Sequence, residues 1–194
     1  MTRQGRGPRA KPDPDRELQD ALRAAFRWRG DRPDNWSFAD PTGWWADPTI
    51  LGRLGPALAG LFRDAEPTIV LGLQSRGSLL GALVAAQLGV GLLEVRKDPS
   101  PSADSDRWHL AHTPPDYRDR TLQLGVRKDH LRAGQRVLCV DDWVETGGQL
   151  TGARALVDQA GAAWCGAAVI VDGLRSVPPR RRLHVRALLH VRDL

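Results

Sequence analysis

Val137–Val157, VLCVDDWVETGGQLTGARALV, is the stretch that decides the fold. Its first four residues, Val137–Val140, form a short apolar run of the kind that fills a parallel strand covered on both faces. Asp141 and Asp142 fall at the carboxyl end of that run, where open α/β sheets bind their ligands. In Thr146-Gly147-Gly148 the glycines let backbone N–H groups come close to an anion. A helix beginning about Gln149 adds the positive end of its dipole. Two carboxylates beside a phosphate cradle point to ribose hydroxyls and a Mg²⁺ ion rather than to phosphate alone.

Outward from this stretch, apolar runs alternate with helical patterns. Strands are expected at 68–73, 90–96, 136–141, 164–171 and 185–190. Helices are expected at 78–88 and 149–160, each followed by a glycine, Gly89 or Gly161. That alternation implies crossover units and an α/β fold, a mainly parallel sheet flanked by helices. Residues 98–118 are polar and proline-bearing, a loop of the length used for lids or binding loops. Thr121–Arg127 alternates like an edge strand or hairpin arm.

Toward the N-terminus, Asp13-Pro14 reads as a helix start, followed by Leu18, Ala21, Leu22, Ala25 and Phe26 at helical spacing. A second Asp-Pro start at Asp47-Pro48 introduces Ile50, Leu51, Leu54, Leu58, Leu61 and Phe62 on one face. The expected organisation is one domain, 13–194, with N-terminal helices and a base-side segment over 13–66 and the α/β core over 67–194. Residues 1–12, MTRQGRGPRAKP, are basic, rich in Gly and Pro, and expected to be a disordered tail. They lack the apolar centre of a secretory signal, and no window approaches a membrane span, so a soluble, cytoplasmic protein is expected.

The formal charge of +5 raises nucleic acid as a partner. Much of the excess, however, lies in the tail and in Arg180-Arg181-Arg182, and no zinc-finger spacing, RNA-binding signature or recognition helix accompanies it. Nucleic acid is therefore set aside. Cys139 and Cys165 both lie in apolar strands and read as buried free thiols, not as a disulfide or a metal site.

The strand, acid pair and glycine loop resemble the 5-phosphoribosyl 1-diphosphate (PRPP) signature of the type I phosphoribosyltransferases. The similarity continues upstream. Pro33–Pro48, PDNWSFADPTGWWADP, resembles the entry segment of the adenine phosphoribosyltransferases. Thr68–Gly81, TIVLGLQSRGSLLG, resembles that family's first core strand and diphosphate loop, and Leu92–Lys97 resembles its second strand with a closing Arg-Lys pair. The resemblance implies Mg²⁺-dependent transfer of a phosphoribosyl group from PRPP to a purine, adenine first, giving a nucleoside monophosphate and diphosphate for purine salvage. It also implies a homodimer.

Residue by residue, the resemblance implies that the backbone from Glu145 through Thr146, Gly147 and Gly148 to Gln149, with the Thr146 hydroxyl, holds the 5-phosphate. Asp141 and Asp142 hold the ribose hydroxyls, directly or through the metal. Ser75, Arg76 and Gly77 hold the diphosphate, with Arg96 and Lys97 as further cations. Asp141, Asp142 and Arg76 are the catalytic candidates. Phe38, with Ser37 beside it, offers a stacking face to the base, with Trp36 or Trp44 nearby.

The chain also departs from the family. Ala39 stands where a basic residue is usual, Gln74 replaces an acid, Glu145 enters the phosphate loop, and Gln149 replaces a closing hydroxyl. Leu124-Gly125 stands where a mobile loop carries Leu-Glu. These changes imply slow turnover and leave two other readings open: a PRPP-sensing regulatory protein with little catalysis, and a transferase for a nonstandard acceptor.

Overall fold

The computed structural model describes residues 14–30, 37–99, 105–115 and 120–194; the basic segment 1–12 and Trp36 lie outside them. Two compact units divide between Ile50 and Leu51.

In the first unit, helix α1 (Pro14–Ala25) turns Leu18 and Leu22 inward, and Phe26 follows them at the same spacing. A short antiparallel pair, β1 (Arg27–Arg29) and β2 (Phe38–Asp40), sets Arg29 opposite Phe38. Helix α2 (Thr42–Ala46) carries Trp44, whose ring is fully buried beside Phe26 and whose indole N–H donates to the Leu22 carbonyl at 2.8 Å. That bond satisfies the polar edge of a buried tryptophan. It also corrects the expectation for Trp44, which is a core residue and offers no face to a base. Helix α3 (Pro48–Gly60), most of which belongs to the second unit, begins at the expected Asp-Pro, with Asp47 accepting from the Thr49 and Ile50 N–H groups.

The second unit is built on a seven-stranded sheet. Its strands are β3 (Ile69–Leu73), β4 (Gly91–Lys97), β5 (Trp108–His112), β6 (Gln123–Arg127), β7 (Arg136–Val144), β8 (Ala163–Asp172) and β9 (Val185–His190), in the order β5-β6-β4-β3-β7-β8-β9. The five strands from β4 to β9 in that order are parallel, and β6 runs antiparallel to both β4 and β5. Helices α4 (Arg76–Leu88), α5 (Gly148–Gln159) and α6 (Val177–Arg182) make the crossovers β3 to β4, β7 to β8 and β8 to β9. Val137, Leu138, Cys139 and Val140 are all fully buried, as the apolar run required. Each such side chain contributes roughly 1.5–3 kcal/mol of burial.

Two expectations change here. The stretch 98–118 is not all loop, since Trp108–His112 forms the outer strand β5; β6 pairs antiparallel with it, as an arm of a hairpin would, and lies between β5 and β4 rather than at the edge. Gly125 sits in β6, opposite both Arg96 and Leu110, where an added Cβ would meet Pro99 at 2.7 Å and Leu110 at 3.0 Å. Residue 125 is therefore a sheet position, where a side chain would crowd those of Pro99, Leu110 and Trp108, and does not lie in a loop. Cys139 is buried and Cys165 half-buried, both as free thiols. Among the described residues no helix is long and apolar enough to cross a membrane.

Candidate functional site

From β3 the chain crosses to β4 on one side, and later enters β7 on the other side of β3. The carboxyl ends of β3 and β7 therefore flank the switch point where doubly wound sheets open a ligand crevice. The Ser75-Arg76-Gly77 turn leaves β3, and the Asp141-Asp142 pair lies near the end of β7, ahead of the glycine loop that leaves it. Topology alone brings the two sequence motifs together.

The contact is close. Arg76 pairs with Asp142 at 2.8 Å, with Asp142 buried and Arg76 half-exposed. A Cβ at Gly77 would lie 2.6 Å from the Val140 carbonyl oxygen and 2.9 Å from Asp141 Oδ1. Only a glycine lets the start of α4 rest on the end of β7. The Gln74–Ser75 peptide is cis.

Gln74 ties a third strand to this corner: its N–H donates to the Val95 carbonyl at 3.0 Å, and its side-chain oxygen accepts from the Lys97 N–H at 2.9 Å. An acid at 74 would also accept that bond, so Gln74 keeps the anchor without the charge. Alternation along β4 sends Arg96 and Lys97 to opposite faces. Lys97 is the one whose charge acts on Asp141.

The acids lie within β7, not after it. The strand runs on through Trp143 and Val144, which pair with Val171 and Asp172 of β8. Asp141 Oδ1 accepts from the Asp142 N–H at 2.9 Å. Burial, and then the neighbouring Asp142 carboxylate, push Asp141 well above the usual carboxylate range, against a smaller opposing pull from Lys97.

Past Val144, Glu145 and Thr146 are exposed, and Gly147 takes a left-handed φ of +79° just before α5 starts at Gly148. The Gly148 N–H donates to Thr146 Oγ1 at 3.3 Å, and the Gly147 carbonyl accepts from the Thr151 N–H at 2.9 Å and the Thr151 hydroxyl at 2.8 Å. The carbonyl is thus turned into the helix, away from the loop mouth. Gly147 has no side chain to cap the turn, and the backbone N–H groups and dipole of a helix start favour an anion there. Gln149 is half-buried in the first turn.

Two groups near the loop escaped sequence reading. Thr113, buried just past β5, holds the Leu122 N–H at 3.0 Å and lies beside Gly148 and Gly152. Asp172, at the end of β8 and opposite Val144, is buried and paired with Arg180. Neither stands in a motif, and each is brought to the loop only by the sheet.

In the first unit, taken by itself, Phe38 is 63% exposed and Ser37 is exposed, while Ala39 is half-buried opposite Trp28. Asp40 is held down at about 2 by hydrogen bonds from the Thr42 hydroxyl, from Arg29 and from the Thr42 N–H. These bonds fix the end of β2 and the start of α2 that follow Phe38.

Comparison with known proteins agrees with this fold. Residues 47–190 match the phosphoribosyl transferase domain. The chain is 35% identical over 144 residues to the adenine phosphoribosyltransferase of a Synechococcus strain, covering 74% of this chain and 77% of that protein. It is 38% identical over 136 residues to the enzyme of the same name from Streptomyces galbus, covering 70% and 71%. Among solved structures, adenine phosphoribosyltransferase from Rhodothermus marinus superposes with a TM-score of 0.76 at 29% identity over 91% of this chain and 99% of that one. The Saccharomyces cerevisiae enzyme, solved with adenine and an imino-altritol bisphosphate, gives 0.75 at 26% identity over 90% and 99%.

Proposed function

The chain belongs to the phosphoribosyl transferase family, and on that premise we propose that it transfers the phosphoribosyl group of PRPP to adenine, releasing diphosphate. The observation that carries this reading is the Arg76–Asp142 ion pair, which joins the turn after β3 to the acid pair of β7 across the switch point. A diphosphate-binding cation and a ribose-binding carboxylate have to share one crevice if one ligand is to reach both.

In this reading the loop from Glu145 to Gln149 holds the 5-phosphate through backbone N–H groups and the Thr146 hydroxyl. Asp141 and Asp142 accept from the ribose hydroxyls. The residues suit Mg²⁺, which favours one or two carboxylates and fills its remaining positions with substrate phosphate and water. When bound, it would neutralise charge on the departing diphosphate.

Arg76 changes partner during binding. In the free protein it balances the buried Asp142; a diphosphate offers it more charge and a bidentate surface, releasing Asp142 to the ribose or the metal. As the bond to the anomeric carbon stretches, negative charge collects on the diphosphate oxygens, where Arg76 and Lys97 oppose it. Positive charge collects on the sugar, which the carboxylates of β7 face. Fixed charges placed in advance lower the barrier without reorganising at the moment of transfer.

Adenine is the acceptor to test first because the matched enzymes carry that name and the yeast neighbour holds that base. Phe38, exposed at the start of β2, is the proposed stacking face, with Ser37 beside it. The experiment is diphosphate release from PRPP with Mg²⁺ and a panel of free bases. Adenine should be consumed with AMP formed in equal amount. Turnover on another base would reassign the acceptor, and PRPP binding without turnover on any base would make the protein a PRPP-responsive binder.

A further inference from the structure

We propose that Arg180 and Asp172 form a positioning pair that holds the floor of the phosphate loop in place. The inference rests on the reading of residues 145–149 as the 5-phosphate cradle, and concerns what keeps that cradle in shape.

Asp172 ends β8 in register with Val144, the last residue of β7 before the loop. Its carboxylate is buried and fully engaged. Oδ1 accepts from the Leu174 N–H at 2.9 Å and from Arg180 Nη2 at 3.2 Å, and Oδ2 accepts from Arg180 Nε. Arg180 Nη2 also donates to the Leu174 carbonyl at 2.8 Å. One guanidinium thus grips both the side chain that starts the turn and the backbone that completes it.

The turn itself is tied to the loop. The Gly173 N–H donates to the Val144 carbonyl at 2.7 Å, and Gly173 packs so closely there that a Cβ would stand 2.8 Å from that oxygen. Leu174, delivered by this turn, and Leu183, just past α6, lie beneath Gly147: a Cβ on Gly147 would meet them at 3.4 Å and 3.2 Å. Both leucines are buried. Gly147 is the left-handed residue that aims the N–H groups of the loop, so whatever fixes Leu174 fixes that aim.

A surface arginine would be dispensable, but this one is not placed as a surface arginine. A carboxylate with little access to water needs a charged partner, and losing that partner leaves it uncompensated. The turn would then reopen toward solvent, taking Leu174 from under Gly147. Neither residue touches the ligand in this scheme.

The test uses the full chain and two separate probes. Ribose 5-phosphate reads the loop, and inorganic diphosphate with Mg²⁺ reads the Arg76 corner. Arg180→Gln should weaken ribose 5-phosphate about tenfold, the scale on which small misplacements act, and leave diphosphate within about twofold. Arg180→Lys, which keeps the charge but cannot fork, should fall between Gln and the parent. Leu174→Ala leaves the ion pair in place and removes the floor, so it should reproduce the selective loss. It decides the matter if Arg180→Gln does not fold.

Equal weakening of both probes, or of neither, in Leu174→Ala and Arg180→Lys would overturn the proposal. Gly148→Ala separates the two levels. If it weakens ribose 5-phosphate while the Arg180 and Leu174 variants do not, the cradle stands and only the positioning pair falls. If it too binds ribose 5-phosphate as the parent does, the cradle reading falls with it.

Discussion

Adjacent glycines in the proposed phosphate loop should respond oppositely in stability and alike in binding. At Gly147, alanine must adopt a φ of +79°, and its Cβ lies 3.2 Å from Leu183 Cδ1. The left-handed conformation costs roughly 1–2 kcal/mol for a residue with a Cβ. A fully buried leucine must also yield by a few tenths of an ångström. With a total near 2 kcal/mol, and about 2–4 °C per kcal/mol for a chain of this size, Gly147→Ala should melt roughly 4–8 °C lower. At Gly148 the backbone is helical, and a Cβ meets only Thr146 Oγ1 at 3.5 Å and Thr113 Cβ at 4.0 Å. Replacing a helical glycine there should gain about 0.5–1 kcal/mol, so Gly148→Ala should melt slightly higher than the parent. Both variants should nevertheless lose PRPP. A methyl group between loop and phosphate removes at least one charge-assisted hydrogen bond, about 1.5–3 kcal/mol, or roughly ten- to a hundredfold in affinity. Thermal melts paired with calorimetry against PRPP and ribose 5-phosphate read both quantities. A more stable Gly148→Ala that binds ribose 5-phosphate as well as the parent would refute the cradle.

Other outcomes follow from the same corner. Asp141 is raised in the folded state, so its contribution to stability is complete below about pH 4 and is lost as pH rises through its folded value. Asp141→Asn, melted in EDTA, should therefore match the parent near pH 4 and exceed it by about 1–3 kcal/mol at pH 8, while losing Mg²⁺-dependent PRPP binding. A variant less stable at pH 8 would contradict the burial argument. Gly77→Ala should be among the most destabilising single changes, by roughly 3 kcal/mol or more, because its Cβ would meet backbone of β7 that cannot move aside; a normal melting curve would show the packing to be looser. Phe38→Ala should raise the KM for adenine roughly tenfold with the KM for PRPP unchanged, since a lost stacking partner acts on the base alone; steady-state kinetics varying each substrate in turn would expose a mistaken assignment if both constants move together.

The core was legible because its signals are local. The fully buried run Val137–Val140, the glycines closing α4 and α5, and the alternation of strand and helix can each be read from a short window. The end of β7 was not, because a pair of aspartates looks like the end of a strand. Trp143 and Val144 stay in the ladder only because β8 runs beside them to Asp172. Strand β5 was hidden for a related reason: Trp108–His112, WHLAH, is short and set in a polar, proline-bearing stretch, and becomes a strand through its partner β6. Pairing across the chain, rather than propensity, decides such segments.

The basic run at 180–182 shows how function and packing are confounded in a sequence. Read as composition, three arginines in a row are a patch seeking an anion. In the fold they separate at once: Arg180 turns inward to Asp172, and the Arg182 carbonyl receives the Arg154 side chain. Only the register of β7 against β8 reveals that Asp172 stands beside the loop, and only that position turns an ion pair into a support for Gly147. Residues that touch a phosphate declare themselves by type and spacing, because the ligand's chemistry restricts them. Residues that hold those in place answer to the geometry of one fold, and many residue types could do the same work. The acid pair and the glycines could therefore be singled out from sequence as candidates, while Thr113, Leu174 and the Asp172–Arg180 pair come into view only once the strands are in register.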